Sequence, residues 1–116
     1  TGDVSANLVE MCRAIVSHLR EVIPRLQALR QCEAWESPHA QSELSPPVRM
    51  RSALIQYLDL EVAAERVNFA DTELTARMVL GTLAHFVFLE HLGLESQDAE
   101  PLIERTVAFV LCRGAS

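Results

Sequence analysis

Two sets of residues offer side chains suited to metal binding, and each lacks a feature that the chemistry requires. His85, Glu90 and His91 lie close together, but at about 100° per residue positions 85 and 91 point about 120° apart on a helix, whereas a zinc-binding helix places its histidines four apart on one face. Glu36 and His39 have the Glu-x-x-His spacing of di-iron bundles, yet Pro38 indicates a loop and the sequence has no second such pair. We therefore predict no metal site and no cofactor.

Nucleophilic and phosphate chemistry are equally poorly supported. The sequence has no G-x-S-x-G motif, no serine or cysteine has a local signature that points to a base, and the four glycines are scattered. We predict that the chain is not an enzyme and has no catalytic residues. A distant alternative is a cofactor-free enzyme in which His85 or Glu61 acts as the base.

The composition indicates one globular domain spanning residues 1–116. Apolar residues make up 49% of the chain and charged residues 22%, which is enough to bury a core. The net charge of −6 argues against a nucleic-acid-binding surface in this segment. The longest uncharged stretch of the apolar regions, residues 78–89, is well short of the roughly 20 residues that cross a bilayer, so we predict no membrane span.

The cysteines indicate the cellular compartment, and the first residues indicate whether the chain is part of a longer protein. The three cysteines are an odd number without a CxxC pair, which favours reduced, packed thiols in a cytoplasmic protein; they are Cys12, Cys32 and Cys112. The chain begins Thr1-Gly2-Asp3, without an initiator Met or a signal peptide. We therefore expect a fragment of a longer protein.

Hydrophobic periodicity predicts four helices that would position any site. The first spans Val4 to Leu29 and should kink or restart at Pro24, because proline removes a backbone donor and clashes with the preceding turn. A long loop, residues 32–45, follows. Ser45 with the two prolines after it predicts the start of a second helix that runs to about Val67.

The last two predicted helices are apolar on nearly every side. Asp71 is placed to cap the third, which ends at Gly93, and the fourth spans about 99–113. Four helices cannot easily surround two apolar ones, so a second copy of the chain is the expected cover. The alternative is that these helices pack within the chain.

Four segments in this order resemble the C-terminal regulatory domain of TetR-family (tetracycline-repressor-like) transcription factors. They are LREVIPRLQALR (19–30), SPPVRMRSALIQYLDLEVAAERV (45–67), DTELTARMVLGTLAHFVFLEHLG (71–93) and LIERTVAFVLCRG (102–114). The most recognisable pieces are the D-x-E-x-x-A-R start followed by L-G, and the closing Arg-Gly. The resemblance covers nearly the whole chain.

The resemblance implies an all-helical domain that binds a small apolar or amphipathic effector and forms a homodimer through its last two helices, as a four-helix bundle. In that family a helix-turn-helix domain of roughly 50 residues precedes this domain. The present sequence lacks that domain, so we expect operator DNA to be bound only through the missing part. The function expected is ligand-dependent transcriptional regulation in a bacterium.

An effector pocket needs apolar walls and a few polar groups, and the sequence offers candidates for both. Each could equally be an ordinary core or boundary residue. The predicted ligand-binding residues are Met11, His18, Trp35 as a lid, Met50, Leu54, Tyr57, Glu61 and His85, of which His85 could instead face the dimer seam. Arg49 and Arg51 are expected to be solvated helix-start charges, one of which an anionic effector could contact.

The predicted dimer seam lies mainly on the third helix. Gly81 and Ala84 would let a partner helix come close, on the side that also carries Arg77 and Phe88, and Phe109 would join from the fourth helix. The alternative function, from a different class, is a free-standing helical scaffold. In that case Phe86, Phe88 and Phe109 would bind another protein instead of an identical copy.

Overall fold

The computed structural model describes residues 3–30, 45–95 and 98–113, and this part of the chain is all-helical. Its helices are α1 (Val4–Arg30), α2 (Ser45–Ala63), α3 (Thr72–His91) and α4 (Ala99–Arg113), and the described residues contain no strand. The all-α prediction is confirmed. The predicted loop, residues 32–45, lies outside the described residues except for Ser45, and Trp35 therefore lies outside them too.

Helix α1 is amphipathic, and its buried residues recur every three or four positions. They are Leu8, Cys12, Ile15, Val16, Leu19 and Val22. The helix continues through Pro24 to Arg30, so it does not restart at Pro24, and the kink expected there stays a prediction. Proline leaves the Arg20 carbonyl without its usual donor, but the apolar side chains before it, ending with the buried Val22, hold this part of the helix against the core.

Helix α2 begins at Ser45, as the Ser-Pro-Pro signal predicts, but it ends at Ala63 and not near Val67. The backbone of Glu65 has φ of 60°, which stops the helix. The N–H of Arg66 donates to the Glu61 carbonyl and the N–H of Glu65 donates to the Val62 carbonyl, both at 3.0 Å. These two bonds form a Schellman motif, which closes the helix without a glycine.

Helix α3 has the predicted cap at each end. The Asp71 carboxylate accepts a hydrogen bond from the Leu74 N–H at 2.9 Å, which satisfies one of the free donors of the first turn. At the other end Gly93 has φ of 76°, and its N–H donates to the Glu90 carbonyl. The boundaries predicted from Asp71 and Gly93 are therefore confirmed.

The core lies where α1 meets α3 and α4, and α2 packs mainly on α3. Each helix contributes one buried stripe, and full burial of one such aliphatic side chain stabilises the fold by about 1.5–3 kcal/mol. The buried residues contributed by α2, α3 and α4 are Leu54, Leu58, Ala76, Val79, Leu83, Phe86, Val87, Ala99, Ile103, Val107 and Val110.

Two bidentate ion pairs tie α1 to the last two helices. The Arg20 guanidinium donates to both Glu90 oxygens, at 2.9 and 3.0 Å, and the Arg13 guanidinium donates to both Glu100 oxygens, at 2.6 and 3.1 Å. Arg13 also pairs with Glu10 one turn earlier on α1. Hydrogen bonding to these carboxylates raises the pKa of Arg13 and Arg20, but all four side chains are partly exposed, so each pair stabilises the fold only modestly.

Candidate functional site

A groove runs between α1 and α2 on the surface of the chain. It has a volume of about 490 Å³, and we name it the α1–α2 groove; its lining residues are Ala14, Ile15, His18, Arg49, Met50 and Ala53. This volume falls within the roughly 300–1,000 Å³ of small-molecule sites. Several walls of the groove are exposed, so it is open to solvent.

Each of the two helices contributes a small residue to the lining of the groove. Ala14 on α1 and Ala53 on α2 leave space that longer side chains would fill. Ile15 and Met50 supply an apolar floor, and both belong to or pack against the core. The arrangement can hold the apolar body of a small molecule on a rigid base.

Two nitrogen-bearing side chains are the polar part of the groove. His18 comes from α1, one turn after Ile15, and is half-buried; Arg49 comes from the beginning of α2 and is exposed. The described lining contains no acidic residue. The groove can therefore orient a ligand by hydrogen bonds or charge while its body rests on the apolar floor.

The structure brings together only some of the predicted pocket residues. His18 and Met50 line the groove, whereas Leu54 is fully buried in the core and Met11 packs half-buried against it. Trp35 lies outside the described residues. Sequence reasoning did not select Ala14 and Ala53, because a small residue gives no pattern signal until its facing neighbour is known.

Tyr57 and Glu61 lie further along α2, four positions apart. Glu61 is 8% exposed, and its Oε2 lies 2.9 Å from Nε of Arg66, an ion-pair separation whose angle falls outside hydrogen-bond geometry. The Tyr57 hydroxyl is buried and has no hydrogen-bond partner among the described residues. Neither residue lines the α1–α2 groove.

A second candidate surface covers one side of α3 and α4, and we name it the pairing surface. Six of its residues follow α3 at alternating spacings of four and three: Leu74, Met78, Gly81, His85, Phe88 and Leu92, all of them exposed. Leu102 and Phe109 of α4 lie beside them, across two hollows of about 560 and 330 Å³ that share Met78, Thr82 and Leu102.

The pairing surface is apolar to an unusual degree for an uncovered helix face. Leu74, Met78, Phe88, Leu92 and Phe109 are between 40% and 52% exposed. Alternation of four and three gives the 3.5-residue repeat by which helices interlock with partner helices. In the described part of the chain no helix covers this side of α3, whereas the opposite side of α3 is buried.

The predicted seam residues all occur on or beside this surface. Gly81, Phe88 and Phe109 belong to the pairing surface, Arg77 lines its larger hollow and pairs with Glu73, and Ala84 lies at its edge against the core. His85, predicted for the pocket or the seam, lies in the pairing surface and not in the groove. Phe86, which the scaffold alternative needs exposed, is buried in the core.

The described residues contain no group of three or more histidine, cysteine, aspartate or glutamate side chains arranged to hold a metal ion. No described helix has both the length and the apolar character needed to cross a bilayer.

Comparison of the chain with protein-family models gives no match, and comparisons with curated proteins and with solved structures give none either.

Proposed function

We propose that this chain is the effector-binding and dimerisation domain of a TetR-like bacterial transcriptional regulator, whose DNA contacts lie in a helix-turn-helix domain absent from this sequence. The observation that carries the proposal is the pairing surface: α3 is buried on one side, while the exposed repeat on the other side includes four large apolar side chains, Leu74, Met78, Phe88 and Leu92. The resemblance of the four sequence segments to that family supports the same conclusion.

The occupant proposed for the pairing surface is a second copy of this chain. Gly81 is the tenth residue of the 20-residue α3 and belongs to the exposed repeat. In a two-fold dimer each surface meets itself, so a glycine at the middle of the helix lets two α3 helices approach where they cross. Leu102 and Phe109 of α4 would then complete a four-helix bundle of α3 and α4 from both subunits.

The effector is proposed to bind in the α1–α2 groove, away from the dimer seam. The groove has an apolar floor and two polar side chains, the combination that small-molecule sites require. Helix α1 forms one wall of this groove and is also tied to α3 and α4 by Arg20–Glu90 and Arg13–Glu100. A ligand that moves α1 would therefore change the geometry of the dimer, and with it the spacing of the attached DNA-binding domains.

The oligomeric state tests the dimer half of the proposal. We expect the chain to have the mass of a dimer in light scattering, and Gly81→Glu to have the mass of a folded monomer. A side chain added at Gly81 meets no described residue within 4 Å, so the monomer tolerates the glutamate, whereas a dimer would bury two unpaired carboxylates.

Leu60→Glu is the matched control, because Leu60 is 68% exposed on α2, outside the pairing surface. It adds the same charge and should keep the dimer mass. A Gly81→Glu variant that remains a dimer would place the contact elsewhere, and a monomeric wild-type chain would overturn the dimer half of the proposal. A monomer that binds no further copy would favour the scaffold alternative, with Phe88 and Phe109 contacting a different protein.

A variant that fills the α1–α2 groove tests the second half of the proposal, the binding of an effector there. Ala53→Trp puts a large ring between α1 and α2, and Leu60→Trp adds the same ring elsewhere on α2. The part of the binding of an apolar fluorescent probe, N-phenyl-1-naphthylamine, that comes from the groove should be lost in the first variant and retained in the second. Equal binding in both would exclude the groove as the effector site.

A further inference from the structure

We infer that the α1–α2 groove is built for an amphipathic anion, a ligand with a carboxylate or sulfonate at one end of an apolar body; this inference rests on the proposed effector site. The ionisable side chains that line the groove are His18 and Arg49, and no acidic residue lines it among those described. This is unusual on a chain whose acidic residues outnumber its basic ones by six.

The position of Arg49 favours a bound anion over a structural role. Arg13, Arg20, Arg66 and Arg77 each lie within ion-pair distance of a carboxylate on the protein. Arg49, like Arg51 and Arg105, has no hydrogen bond or ion pair with another described residue, but of these three only Arg49 borders the groove. A guanidinium is a planar fork of donors that matches a carboxylate or sulfonate in two parallel hydrogen bonds.

His18 extends the polar end of the groove from the opposite helix. A neutral imidazole donates one N–H and a protonated one donates two, so His18 can add a hydrogen bond to an anion held by Arg49. The rest of the described lining is aliphatic or thioether: Ala14, Ile15, Met50 and Ala53. A neutral polar ligand would leave these apolar walls uncovered, and an apolar ligand without a charge would leave Arg49 without a partner among the described residues.

A matched pair of probes tests the charge. 8-Anilinonaphthalene-1-sulfonate and N-phenyl-1-naphthylamine share the same aromatic body and differ by the sulfonate. Fluorescence titration should give a tighter dissociation constant for the sulfonate. In Arg49→Met the sulfonate should bind about tenfold more weakly, the effect of losing one charge-assisted contact, while the neutral probe should bind as before.

Arg51→Met is the control variant, because Arg51 lies two positions from Arg49 on α2 and does not line the groove. It removes the same charge and should leave both dissociation constants unchanged. Ala53→Trp identifies the part of each signal that comes from the groove, since both probes can also adsorb to the pairing surface. Circular dichroism and thermal melting check that every variant is folded.

The outcomes separate this inference from the proposed function. If Ala53→Trp removes binding of both probes but Arg49→Met changes neither, the groove remains a ligand site and the preference for anions is overturned. If Ala53→Trp changes nothing, or if neither probe binds the wild-type chain, the groove is not a ligand site, and both the inference and the effector half of the proposed function fail.

Discussion

Cys12 belongs to the buried stripe of α1 and is 1% exposed. Burial raises the pKa of its thiol from 9.0 to about 11, because the thiolate is disfavoured away from water. Since the thiolate is the nucleophile, we predict that Cys12 does not react with Ellman's reagent in the folded chain at pH 8. The measurement uses the variant Cys32→Ser/Cys112→Ser, in which Cys12 is the only thiol; rapid reaction without denaturant would contradict the prediction.

The raised pKa of Cys12 also affects the stability of the fold at high pH. The folded pKa lies above the unfolded value, so the unfolded chain releases the Cys12 proton first as pH rises. The stabilising contribution is complete below about pH 9 and is lost as pH rises towards 11. In urea titrations we expect the free energy of unfolding to fall across this range, and to fall less in Cys12→Ala. If the free energy of unfolding fell equally with pH in the wild-type chain and in Cys12→Ala, Cys12 would make no contribution to this pH dependence.

The side chain of Tyr57 places a polar atom in the interior of the chain. Its hydroxyl is buried and makes no hydrogen bond with the described residues. Removing a buried, unpaired polar atom removes a desolvation cost and breaks no bond. We predict that Tyr57→Phe raises the free energy of unfolding by about 0.5–1 kcal/mol, measured by urea denaturation. A loss of more than 1 kcal/mol would mean that the hydroxyl has a partner in solution.

At the scale of elements, α2 and α3 end in the same way with different residues. Each ends with a Schellman motif, in which Glu65 occupies the left-handed position after α2 and Gly93 occupies it after α3. A non-glycine residue in this conformation costs roughly 1 kcal/mol. We predict that Glu65→Gly raises the free energy of unfolding and that Gly93→Ala lowers it, each by about 0.5–1 kcal/mol. Thermal melts measure both, and a decrease for Glu65→Gly would contradict the argument.

These two helix ends also show what the sequence could predict. Gly93 and Asp71 have strong local preferences, so the boundaries of α3 follow from them. Glu65 has no preference for the left-handed region, and the end of α2 therefore could not be located. Local patterns likewise identified His18 and Met50 as pocket candidates, but whether Leu54 lines a groove or lies in the core depends on the helix packed against it. Helix packing belongs to the tertiary structure, and a local sequence pattern does not determine it.

At the scale of the whole molecule, the described part of the chain is elongated and leaves an apolar side uncovered. Its radius of gyration is 15.5 Å, against about 13 Å for a compact domain of this size. The shortest dimension, 21 Å, is about two helix diameters, so helices in such a slab keep one side open. On α3 and α4 that open side is the apolar pairing surface, which a second subunit would bury.

If association buries that surface, stability must depend on chain concentration. Unfolding then includes dissociation, so the midpoint temperature of unfolding rises with concentration by mass action. We predict a rise of about 5 °C for a hundredfold increase in the wild-type chain. Gly81→Glu should melt at a lower temperature that does not change with concentration, whereas Leu60→Glu should behave like the wild type. Calorimetry at matched concentrations of the three chains measures this, and a wild-type midpoint independent of concentration would mean that the pairing surface stays uncovered in the folded chain.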